Sequence, residues 1–97
     1  MTQPLLPRDY DFQKHIPLWT LNASKDCICR EFKFSDFKQA FAFMTLCAGY
    51  ADEIDHHPDW SNSWNKVTVQ LTTHSSQGLT GLDVQIAQAM DAFALQV

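Results

Sequence analysis

Lys66-Val67-Thr68-Val69-Gln70-Leu71-Thr72-Thr73-His74 is the stretch from which the fold can be worked out. In an extended chain Val67, Val69 and Leu71 fall on one face and Thr68, Gln70, Thr72 and His74 on the other, because successive side chains alternate. A strand with one apolar and one polar face belongs to an antiparallel sheet covered on one side only. Upstream, Cys27 to Phe34 repeats the pattern, with Ile28, Phe32 and Phe34 on one face and Arg30 interrupting it. Between the two strands, Ser35 is a suitable N-cap, and Phe37, Ala40, Phe41, Met44, Cys47, Ala48 and Ala51 recur at three- and four-residue spacing. That predicts an amphipathic helix to about Asp55 with its Phe/Met stripe in the core, stopped by the approach to Pro58. Asp59 to Asn65 reads as an extended edge. Towards the N-terminus, Asp9 to Ile16 reads as a short helix stopped by Pro17, Trp19–Leu21 as a short strand and Asn22 to Asp26 as a turn. After the turn at Gln77-Gly78, Thr80 opens a last helix with Asp83 as its capping-box partner and Leu82, Ile86, Met90 and Phe93 as its stripe. The order predicts an α+β domain: a four-stranded antiparallel sheet with three helices packed on one face.

Composition sets the outer limits. With 97 residues, the chain is expected to form a single domain over 1–97. A hydrophobic fraction of 45% and a charged fraction of 19% describe a globular protein. The run from Gln39 to Ala51 carries Gln, Thr, Gly and Tyr and falls short of the ~20 apolar residues of a membrane span. Met1–Arg8 lacks the basic start and apolar stretch of a signal peptide, and the segment, with Pro4 and Pro7, is expected to start loosely; a cytoplasmic location is expected. Net charge is −4 and the seven basic residues are scattered, which disfavours direct nucleic-acid binding. The three cysteines include no CxxC pair, so Cys27, Cys29 and Cys47 read as reduced, structural thiols.

Chemistry gathers at histidines. His56 and His57 follow the long helix and His74 follows a strand, and element ends are where a rigid scaffold presents functional side chains. Imidazole gains and loses protons readily near neutral pH, and Asp52, Asp55 and Asp59 flank the His pair. An acid/base site at His56, His57 and His74 stands against the plain reading of solvated surface residues. A zinc site is weaker, because neighbouring side chains in extended chain diverge. Asp83 reads first as a helix cap, Trp60 and Trp64 as packing residues, and His15 as a surface residue.

Asp52-x-x-x-His56-His57-Pro58, then Trp64, His74 and Asp83, resembles the signature of the pterin-4a-carbinolamine dehydratases. Arg30-Glu31-Phe32-Lys33-Phe34, Asp55-His56-His57-Pro58-Asp59-Trp60, Leu71-Thr72-Thr73-His74 and Gly78-Leu79-Thr80 look like the same family. The resemblance implies dehydration of 4a-hydroxytetrahydropterin to quinonoid dihydropterin in tetrahydrobiopterin recycling, with no cofactor and no metal. It implies His56, His57 and His74 as catalytic residues. It implies pterin contacts from Asp55, His56, His57, Thr72, Thr73, His74 and Ser75, with Trp19 covering the ring, and Asp52 and Asp83 in support. Asp52 stands where many relatives have Glu, which shortens its reach by a methylene, and Trp64 replaces a frequent Tyr. The resemblance also implies a homodimer or homotetramer and an aromatic amino acid hydroxylase in the same pathway. Two other readings stay open: a non-enzymatic protein-binding module acting as a dimerisation or transcriptional cofactor, and a metal-dependent hydrolase using the three histidines and a carboxylate.

Overall fold

A computed structural model describes residues 3–97, Met1 and Thr2 lying outside it. Its elements are α1 (Phe12–His15), β1 (Thr20–Leu21), β2 (Ile28–Lys33), α2 (Phe37–Ile54), β3 (Asp59–Ser63), β4 (Lys66–Leu71), a single 3-10 turn (His74–Ser76) and α3 (Gly81–Ala94). The strands form one antiparallel sheet in the order β1-β2-β4-β3, the α+β architecture predicted. β4 alternates as its sequence requires: Val67, Val69 and Leu71 are buried, while Lys66, Thr68 and Gln70 are exposed. Ile28 and Phe32 of β2 join them beneath α2 and α3, and the opposite sheet face stays polar. Arg30, the interruption in β2, lies over the Phe32 ring and pairs with Asp91 of α3, which resolves its place on the apolar face.

The helices depart from the prediction in instructive ways. α1 is one turn, with Asp11 as its N-cap, shorter than Asp9 to Ile16. α2 is capped by Asp36, whose side chain accepts from the Gln39 N–H, and not by Ser35. Its buried face is Ala40, Phe43, Cys47 and Ala51. Phe37 and Phe41, assigned to the core from their spacing, are 48% and 54% exposed and tilt against each other. Periodicity finds a stripe, but α2 carries more apolar residues than one stripe holds, and only the sheet beneath selects among them. Trp64 is also exposed, at the β3–β4 turn. The N-terminal segment is tied down from Leu5 onward, where Leu5 bridges to Thr80 and the Leu6 N–H donates to the Leu79 carbonyl. Among the described residues, no helix is long and apolar enough to cross a membrane.

Candidate active site

The site begins where α2 stops. Asp55 adopts the left-handed conformation (φ 52°), and the His56 N–H turns back to the Ala51 carbonyl at 3.0 Å. This left-handed cap ends the helix three residues before Pro58, so the proline is not the terminator that the sequence suggested. Aspartate tolerates the conformation better than most side chains. The reversal directs His56 inward, towards the N-terminus of α3.

There the His56 ring meets Asp83, with Nε2 2.6 Å from Oδ1. Asp83 is fully buried, and its other oxygen accepts from the Thr73 hydroxyl at 2.7 Å and from the Thr80 N–H at 2.9 Å. Thr80 and Thr73 are joined through their hydroxyls at 2.7 Å. Since Thr73 donates its hydrogen to Asp83, Thr80 donates to Thr73. Asp83 therefore caps α3 in a complete capping box and orients an imidazole at the same time. No buried side-chain nitrogen or oxygen among the described residues lacks a partner.

The other two histidines also face carboxylates, but in solvent. His57 Nε2 lies 2.9 Å from Asp52 Oδ1, so the shorter carboxylate reaches its imidazole. His74 Nε2 lies 3.2 Å from Asp59 Oδ2. The β3–β4 pairing makes this contact: Asp59 pairs with Gln70, which sets the start of β3 beside the end of β4. The same pairing brings the His56-His57 segment next to Thr72-Thr73-His74. A cavity of about 440 Å³ opens on the polar sheet face here, lined by Asp26, Cys27, Asp59, Gln70, Thr72, His74 and Gln77. Its volume is in the range of small-molecule sites.

Of the predicted residues, His74 and Thr72 line this cavity, whereas His56 and His57 do not. Asp55 and Ser75 are exposed, at the α2 cap and in the 3-10 turn. The Thr73 side chain is buried and committed to Asp83, so it is a positioning group. Trp19 is buried against Phe32, and its indole N–H donates to Asp91 at 2.9 Å. Asp59, Gln70 and Thr80 had not been singled out as site residues. For Gln70 the signal was present, since it shares a strand face with Thr72 and His74. The roles of Asp59 and Thr80 depend on strand register and helix docking.

The β3–β4 end of this helix-covered sheet presents three imidazole–carboxylate pairs, groups that can exchange protons near neutral pH. Residues 6–93 match the family described as pterin 4 alpha carbinolamine dehydratase, and the chain belongs to that family. A provisionally named pterin-4-alpha-carbinolamine dehydratase of Rhizorhabdus wittichii is 51% identical over 79 residues, 81% of each chain. One from Brucella ovis, also provisionally named, is 47% identical over 76 residues, 78% of each. The crystal structure of a transcriptional coactivator/pterin dehydratase from Brucella melitensis matches with a TM-score of 0.86 at 39% identity, covering 94% of this chain and 99% of that one. A pterin dehydratase-like protein described as a RuBisCO assembly factor in the alpha-carboxysome shares the fold, with a TM-score of 0.71 at 22% identity over 82% of this chain and 93% of its own.

Proposed function

We propose that this protein, as a single domain, dehydrates 4a-hydroxytetrahydropterin to quinonoid dihydropterin and water by histidine acid/base catalysis, without metal or organic cofactor. The observation that carries the reading is that two carboxylate-held imidazoles, His56 on buried Asp83 and Thr73, and His74 on Asp59, sit at the same end of the sheet. The substrate's hydroxyl shares its carbon with a ring nitrogen, whose lone pair can expel it. Hydroxide leaves poorly, so a general acid must protonate it while a base removes a proton from the ring, each transfer contributing about 10²–10⁴-fold. Asp83 and Asp59 hold Nε2 of His56 and His74, which leaves Nδ1 of each ring to exchange a proton. His57 orients the substrate or shares the transfer. The pterin's amide-like edge pairs with backbone groups of Asp55-His56-His57 and of Thr72-Thr73-His74-Ser75. The place of the reaction is tetrahydrobiopterin recycling in the cytoplasm, after an aromatic amino acid hydroxylase.

The test follows the decay of enzymatically generated 4a-hydroxytetrahydropterin by ultraviolet absorbance, with and without chelator. Acceleration by wild type that survives chelator and is lost in His56→Ala and His74→Ala supports the reading. No acceleration by folded wild type overturns it. A second reading, a protein-binding module, draws support from the exposed pair Phe37 and Phe41 on α2 and from the coactivator description of the Brucella melitensis relative. The same exposed pair and the open β3 edge support a homodimer or homotetramer. Light scattering tests this, and a monomer at micromolar concentration would refute it.

A further inference from the structure

Cys27 and Cys29 flank the extended residue Ile28 and project on the polar face of the sheet, with their sulfurs 3.8 Å apart. Cys27 lines the cavity that holds Asp59 and His74, and Cys29 lines an adjoining one with Thr20, Glu31 and Thr68. Both thiols are free and half-buried. Neither is used by the proposed dehydration.

We propose that Cys27 and Cys29 form a two-thiol site for one soft, closed-shell cation of the Cu(I) class. The sulfur–sulfur span supports this. With metal–sulfur bonds of about 2.3 Å a linear two-coordinate ion spans about 4.6 Å, so the sulfurs need to part from 3.8 Å by under about 1 Å, a side-chain rotation that leaves the backbone in place. A disulfide fits less well. Two residues of extended chain separate the Cα atoms by about 6.6 Å, close to the upper limit of ~6.8 Å for a bridge, and the sulfurs would have to close to about 2.05 Å. The donor count selects the ion. Structural zinc takes four donors, and no group of three or more His, Cys, Asp or Glu among the described residues is arranged to hold a metal. Thiolate pairs suit Cu(I), with solvent or a small thiol at any remaining position.

The free site is stored as thiols. Asp26 lines the same cavity as Cys27 and puts negative charge beside it. That same negative charge attracts a cation. On binding, two Cu–S bonds form, two S–H bonds break and two protons leave to solvent, with no change of oxidation state.

The test is anaerobic titration of the full chain with Cu(I) against a coloured Cu(I)-specific chelator, with maleimide labelling and mass spectrometry alongside. Wild type should retain one equivalent, and Cys27→Ser and Cys29→Ser should each weaken retention by about tenfold or more. Cys47→Ser, a change in the buried core, should leave retention unaltered if circular dichroism shows it folded. Bound Cu(I) should also protect residues 27 and 29 of the wild type from maleimide, a readout that needs no variant. Failure of wild type to retain the ion, equal retention by Cys27→Ser/Cys29→Ser, or a Cys27–Cys29 disulfide under the anaerobic conditions would each overturn the site. Zn(II) retained as tightly as Cu(I) would overturn the choice of ion. None of these outcomes depends on pterin turnover.

Discussion

His56–Asp83 and His74–Asp59 are the same chemical pair in two environments. The side chains of the first are 9% and 0% exposed; those of the second are 79% and 60% exposed. In the first, the carboxylate's other partners are also buried, so each group depends on the others for hydrogen bonds that water cannot supply. In the second, water replaces either partner at little cost. The buried pair is therefore a part of the fold that also orients a ring. The exposed pairs of His57 and His74 sit on the outside of a scaffold that does not depend on them, each contributing about 0–1 kcal/mol to stability.

Asp83→Ala should break the comparison most severely. It strips the partner from His56, Thr73 and the Thr80 N–H together, and should cost about 3–5 kcal/mol in denaturant unfolding, with dehydratase activity falling in step. A loss below ~1 kcal/mol would mean that water fills the gap and the buried pair is not structural. His74→Ala should do the reverse. Activity should fall about 10²–10⁴-fold while stability stays within ~0.5 kcal/mol of wild type. Unchanged turnover would remove His74 from the catalytic set.

Thr73→Val tests the link between the two regions, since it deletes one donor and keeps the shape. It should cost about 1–3 kcal/mol by leaving a buried carboxylate oxygen short of a partner. It should lower kcat more than it raises KM, and Thr73→Ser should restore both. A KM effect alone would return Thr73 to the substrate contacts. Asp52→Asn is the mildest case. It should change stability by at most ~1 kcal/mol, and that difference should shrink in high salt. A larger, salt-resistant loss would show that the exposed pairs share the structural role of the buried one.

Much of this arrangement was legible in the residues. Alternation in β4 set its faces, spacing announced α2 and α3, and the capping pattern at Thr80 and Asp83 placed the start of the last helix. The His-His-Pro and Thr-Thr-His groups were visible as chemistry at element ends. Spacing misjudged Phe37 and Phe41, because helical periodicity says which residues share a side and not how wide a strip the neighbouring layer covers. The family resemblance, not spacing, implied substrate contacts for Trp19 and Thr73, and it could not show that their side chains already have tertiary partners: Asp91 binds the indole and Asp83 the hydroxyl.

The sequence by itself determined the elements, the face each strand buries and the supply of imidazoles and carboxylates, because these follow from local geometry and side-chain type. Tertiary structure alone decided which carboxylate serves which histidine. Asp52 was close in sequence to both His56 and His57, yet His56 turns away to Asp83, 27 positions later. That choice rests on a left-handed cap at Asp55 and on α3 docking its N-terminus over the end of β4. Burial then separates three similar pairs into one that holds the fold and two that face solvent.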